Sequence, residues 1–92
     1  MSNQEENLDI PDGWKEVDGY LFRSISTKEY GQGVSYVFQV AKIAGELNHH
    51  PDITLTYSTV DIRTKSHDVD AITQRDVTLA LEVNKVIEPP LG

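Results

Sequence analysis

The sequence predicts an α+β domain in the order ββαββα, a four-stranded antiparallel sheet with helices packed on one face. Three observations predict it. Asp18-Gly19 lies between two short runs of alternating apolar and polar residues, the pattern of a tight hairpin. A run of 3.6-residue periodicity follows over residues 27–48, long enough for about five helical turns. A second pair of alternating runs and a second capped helical run complete the chain. Strands in two hairpins, with helices between and after them, bury their apolar sides by laying the helices on one face of the sheet.

Residues 1–9 are polar and acidic and read as a frayed tail, leaving 10–92 as a single domain. Ile10-Pro11-Asp12-Gly13-Trp14 is a turn into the first strand, and Trp14 needs a core. In the second strand Leu21, Arg23 and Ile25 share one side, and Tyr20, Phe22 and Ser24 the other. Thr27 is the expected cap of the first helix. Lys28, Gln32, Ser35, Gln39, Lys42 and Glu46 form its polar side, and Tyr30, Val34, Val37, Val40, Ala41, Ala44 and Leu47 its apolar side. Gly31, Gly33 and Gly45 each weaken a helix by roughly 0.5–1 kcal/mol, which implies close packing by the sheet or a second subunit. Pro51 stops the helix.

Ile53, Leu55 and Tyr57 alternate with Thr54, Thr56 and Ser58, and Val60, Ile62 and Thr64 with Asp61, Arg63 and Lys65. These are two half-buried strands joined near Ser58-Thr59. After a loop at 66–70, Thr73 caps the second helix, Asp76 takes its third position, and Ile72 and Val77 form a hydrophobic staple. Its expected buried side is Val77, Ala80, Leu81, Val83, Asn84 and Ile87, and Glu88-Pro89-Pro90 ends it.

Composition excludes several functions. A net charge of −7 repels polyphosphate, so nucleic acid is not an expected partner. The absence of cysteine removes disulfides, thiolate nucleophiles and thiolate-bound metals. No signal-peptide pattern opens the chain and no apolar run reaches the ~18 residues of a membrane span, so a cytoplasmic location is expected. A domain this small buries only about 60–65% of its unfolded surface, which favours oligomers.

Chemistry concentrates in the three histidines. His49 and His50 end the first helix, and His67 follows the strand hairpinned to the one that starts after them. Imidazole exchanges protons near neutral pH, so three of them at one helix-to-sheet edge point to general acid–base catalysis on a small molecule. Simpler roles stay open on the residues alone. Helix-end histidines also cap carbonyls, and His67 also reads as an ordinary loop residue. A three-histidine metal site lacks a pair one helical turn apart, since neighbours on a helix diverge by about 100°.

His49-His50-Pro51, then Tyr57, His67 and Asp76 at their spacings, resemble the pterin-4a-carbinolamine dehydratases, also called the dimerisation-cofactor family. Trp14 after its Pro-x-Gly turn, Val40-Ala41 and Ser66-His67-Asp68-Val69 extend the resemblance over residues 11–87. It implies dehydration of 4a-hydroxytetrahydropterin to quinonoid dihydropterin in tetrahydropterin recycling, with no metal or organic cofactor. His49, His50 and His67 would be catalytic. With the histidines, Pro51, Ser66, Asp68 and Val69 would hold the pterin, while Glu46 and Asp76 support the site. It further implies a homodimer or homotetramer, a link to an aromatic amino-acid hydroxylase, and an N-terminal helix that is reduced or absent here. The family's carboxylate four residues before the first histidine is Gly45 in this chain, and the acid is Glu46. That departure keeps a second reading in play, a non-catalytic interaction module of the same fold.

Overall fold

The computed structural model describes residues 8–87. Most of the expected tail, at 1–7, and the Glu88-Pro89-Pro90 stop lie outside the described residues. The elements are β1 (Lys15–Val17), β2 (Tyr20–Ser26), α1 (Tyr30–Leu47), β3 (Asp52–Leu55), β4 (Thr59–Thr64) and α2 (Gln74–Ile87). All strand pairs are antiparallel, in the spatial order β1-β2-β4-β3.

The first hairpin forms as the turn chemistry demands. Asp18 and Gly19 both have positive φ, 53° and 82°, the left-handed pair that matches the twist of the flanking strands. Leu21, Arg23 and Ile25 point into the core. Val60 and Ile62 join them from β4, Val40 and Ala44 from α1, and Leu79, Ala80 and Val83 from α2. At one end Asn84 ties three elements together. Its Oδ1 accepts from Trp14 Nε1 at 2.9 Å and from the Arg23 guanidinium, and its Nδ2 donates to the Asp12 carbonyl at 3.0 Å. Arg23 can lie inside the core because that network receives its charge.

α1 starts later than the periodicity predicts. Thr27 is not its cap: its N–H donates to the Ser58 carbonyl at 2.9 Å, so the chain is still held by the sheet there. Glu29 is the flanking extended residue and makes no side-chain cap, while Gln32 Oε1 accepts from the Lys28 N–H at 2.8 Å. Of the three glycines, only Gly33 is pressed. A Cβ there would lie 2.8 Å from Leu55 Cδ1 and 3.4 Å from Val60 Cγ2, whereas Gly31 and Gly45 face open space. Gly33 thus sets how closely α1 lies on β3 and β4. Gly33→Leu is expected to lower stability by about 1–3 kcal/mol through overpacking, read as a fall in the urea midpoint at unchanged slope.

In α2 the buried leucine is Leu79 and not Leu81, which is 47% exposed. Tyr57 is also corrected. It is 81% exposed in the turn between β3 and β4, because Thr56 bonds to Thr59 and ends the strand before it.

Candidate active site

Three local devices converge where α1, β4 and α2 meet. The first is the end of α1. Asn48 adopts the left-handed conformation (φ 53°), its N–H donates to the Gly45 carbonyl at 3.3 Å, and the His49 N–H donates to the Ala44 carbonyl at 3.0 Å. This Schellman arrangement reverses the chain and fixes the backbone from which the His49 side chain departs. The second device is the inward parity of β4, which carries on past the strand so that Val60, Ile62, Thr64 and Ser66 are all buried.

The third is the start of α2. Thr73 Oγ1 accepts from the Arg75 N–H at 3.2 Å, and the Asp76 carboxylate returns to the Thr73 N–H at 2.9 Å, a reciprocal capping box. Asp76 is fully buried and also accepts from Thr64 Oγ1 at 2.6 Å, Ser66 Oγ at 2.9 Å and His49 Nε2 at 2.6 Å. Ser66 Oγ lies 2.7 Å from Thr73 Oγ1. Burial alone pushes the Asp76 carboxyl up, but its bonds from Thr64, His49, the Thr73 N–H and Ser66 outweigh burial and hold it below its ordinary value of 3.8.

An ionised carboxylate only accepts, so the hydrogen between the two groups sits on His49 Nε2. Nδ1 is then the nitrogen that takes up or gives a proton. His49, with 12% of its side chain exposed, lines a cleft of about 200 Å³ together with Leu47, Gln74, Arg75 and Thr78.

The loop after β4 is closed on itself. Ser66 and Ala71 exchange both backbone hydrogen bonds, the Val69 N–H donates to the Ser66 carbonyl, and Asp70 is left-handed. Arg75 Nη2 reaches Asp68 at 2.8 Å and Lys65 Nζ reaches Asp70 at 2.6 Å. Those bonds hold both loop carboxyls below their ordinary range.

His67 is exposed and sets its ring against Tyr20, with centroids 6.3 Å apart at 69°. Arg63 and Lys65 lie over that same tyrosine ring, at 4.5 and 4.7 Å from its centroid. His50 is exposed, Pro51 half-buried and Val69 56% exposed. Glu46 is exposed with no hydrogen bond or ion pair among the described residues.

Of the residues singled out from the sequence, His49, Ser66 and Asp76 form one connected group. Asp68 joins its rim through Arg75. His50 and His67 do not line the cleft. Thr64, Thr73 and Arg75 as site residues, and Tyr20 beside His67, went unread. Thr64 was legible in principle, since strand parity places it inward with Ile62.

The chain matches the family model described as pterin 4 alpha carbinolamine dehydratase over residues 1–86. It is 40% identical over 80 residues to a relative from Mycobacterium leprae, covering 87% of this chain and 84% of that one. A relative from Mycobacterium avium is 38% identical over 89 residues, 95% of each chain. Both are named, provisionally, as pterin-4-alpha-carbinolamine dehydratases. Among solved structures, a transcriptional coactivator/pterin dehydratase from Brucella melitensis superposes with a TM-score of 0.78 at 29% identity over 83% of each chain. A pterin dehydratase-like RuBisCO assembly factor of the alpha-carboxysome shares the fold, with a TM-score of 0.67 at 17% identity over 84% of this chain and 89% of that one.

Proposed function

The chain belongs to the pterin 4 alpha carbinolamine dehydratase family, and from that premise we propose that it dehydrates 4a-hydroxytetrahydropterin to quinonoid dihydropterin. The observation that carries this reading is the His49–Asp76 pair at the cleft. In the reaction the N5–H and C4a–O bonds break, an N5=C4a double bond forms and water leaves. One group takes the N5 proton and one group, or the same group in turn, protonates the departing hydroxyl. His49 suits either half. Neutral, it presents the Nδ1 lone pair as a base, and protonated it donates from the same atom, with Asp76 stabilising the cation in the manner of an aspartate behind a catalytic imidazole.

His50 and His67 are the candidates for the second proton transfer. Pro51 and the backbone of Ser66, Asp68 and Val69 would hold the bicyclic ring. Glu46 is a weaker candidate for support than Asp76, because among the described residues it has no hydrogen bond or ion pair to an imidazole, whereas Asp76 bonds His49. The cleft is smaller than the roughly 300–1,000 Å³ of sites for drug-sized ligands, in keeping with a small bicyclic substrate. In a cell the reaction would serve tetrahydropterin recycling in the cytoplasm, beside an aromatic amino-acid hydroxylase.

The test generates 4a-hydroxytetrahydropterin in place and follows quinonoid dihydropterin formation with and without the protein. Acceleration is expected. The Gly45 departure and the separation of His50 and His67 from the cleft favour the second reading, a non-catalytic interaction module. Folded protein that leaves the rate unchanged and binds no pterin would establish that reading in place of the enzyme.

A further inference from the structure

His67 is a candidate proton carrier that the cleft does not hold. Side chains along β4 alternate between the two faces of the sheet, and the alternation runs on past the strand. Val60, Ile62, Thr64 and Ser66 turn inward, the last two to Asp76. Arg63, Lys65 and His67 share the opposite parity, on the face away from the helices. No buried carboxylate reaches an imidazole there. Among the described residues the His67 ring makes no hydrogen bond or ion pair, and Tyr20 is its one aromatic contact.

β2 supplies that tyrosine by the same rule. Leu21 pairs with Thr64 and is fully buried, so its neighbour Tyr20 falls on the outer face, beside Lys65. The Asp18-Gly19 turn fixes this end of the strand, because Tyr20 pairs with Val17 directly across it. Two cations then brace the half-buried ring. Arg63 Cζ lies 4.5 Å and Lys65 Nζ 4.7 Å from its centroid, inside the ~6 Å reach of a cation–π contact. Each cation is anchored in turn, Arg63 to Asp52 at 3.3 Å and Lys65 to Asp70 at 2.6 Å. Asp52 opens β3, two residues beyond His50, and Asp70 lies in the loop that carries His67. The tyrosine ring is thereby tied to the strand after one candidate histidine and to the loop of another. Its contact with His67, 6.3 Å between centroids at 69°, is the edge-to-face arrangement that aromatic pairs prefer.

We propose that Tyr20 is a positioning residue for His67: its braced ring sets the direction of the exposed imidazole and so aids the proton transfer that His67 carries. Tyr20 acts through His67 and not on the substrate. The inference rests on the dehydratase reading and adds to it a residue on the far side of the sheet from Asp76.

Steady-state kinetics and proton NMR test it together. Tyr20→Leu is expected to lower kcat by about 3- to 10-fold, the size of preference an aromatic pair supplies. KM should not change, because a misdirected imidazole is felt in the proton transfer and not in ground-state binding. Tyr20→Phe, which keeps the ring, is expected to recover most of the loss. In a His67→Ala background Tyr20→Leu should cost nothing more, the non-additivity of two residues that act as one unit. The NMR readout is independent of turnover and also reports the fold. The His67 ring protons, identified by their loss in His67→Ala, are expected to be displaced by the aromatic ring current in the native chain and in Tyr20→Phe. In Tyr20→Leu they should move to the position of a solvent-exposed histidine.

A native chain without dehydratase activity would overturn the dehydratase reading and this inference with it. In an active chain, three results would overturn this inference alone. They are a full rate in Tyr20→Leu or in His67→Ala, an equal fall with Tyr20→Leu whether or not His67 is present, and His67 signals that Tyr20→Leu leaves in place.

Discussion

His49→Ala is expected to slow dehydration by about 100- to 10,000-fold, the range a positioned acid–base group supplies. The variant also removes one hydrogen bond to a buried carboxylate, at about 1–3 kcal/mol of stability, so rate and fold must be separated. His49→Gln does this. Its amide donates to Asp76 but carries no proton between substrate atoms, so it should keep most of the stability and still lose the rate. Single-turnover rates alongside urea unfolding give both quantities. His50→Ala and His67→Ala belong in the same series, since one of them is expected to share the proton transfers. A full rate in His49→Gln would remove His49 from the chemistry and leave it a helix-end tether.

Asp76→Ala is expected to cost about 3–5 kcal/mol, the consequence of emptying one side of a buried charged network. Thr64, Ser66, Thr73 and His49 would each lose an acceptor at once. The pH dependence follows from the lowered pKa. A depressed carboxyl stabilises the fold fully above its unfolded value of about 3.9 and loses that contribution as pH falls through the lower folded value. Unfolding free energy of the native chain should therefore drop on acidification below about pH 4. Asp76→Asn should show a shallower drop over the same interval. Equal acid limbs in the two proteins would show that Asp76 is not the group responsible.

What the sequence disclosed depended on how local the cause was. The Asp18-Gly19 turn and the Thr73–Asp76 box are set by residues within a few positions, and both formed as read. The start of α1 was misread because its cause is distant: Ser58, across the sheet, holds the Thr27 N–H and keeps the chain extended. Leu79 and Leu81 sit on one periodic run, but the buried arc of α2 centres on Ala80, Val83 and Ile87, and at 100° per residue that arc takes in Leu79 and leaves Leu81 outside. The catalytic candidates were visible as residue types, but not their division. Adjacent histidines look alike in a string of letters. The Schellman turn sends His49 toward α2 and leaves His50 in solvent, and only tertiary structure brings residue 76 to it. Glu46 looked like the supporting acid because it is one turn from His50, yet the acid that touches an imidazole is 27 positions away from it in sequence.

Asp76 closes the capping box of α2 and also holds the imidazole. In evolutionary terms that makes the position pleiotropic. A descendant in which the cleft served no reaction would still be selected to retain this aspartate, because its loss is expected to weaken the fold by about 3–5 kcal/mol. His49 has no comparable duty, since the turn it belongs to is made by backbone atoms. Among diverged relatives, an aspartate at this place therefore says little about whether the reaction survives. The histidine is the informative letter, and its drift should be the first mark of a lineage that has kept the scaffold for another purpose.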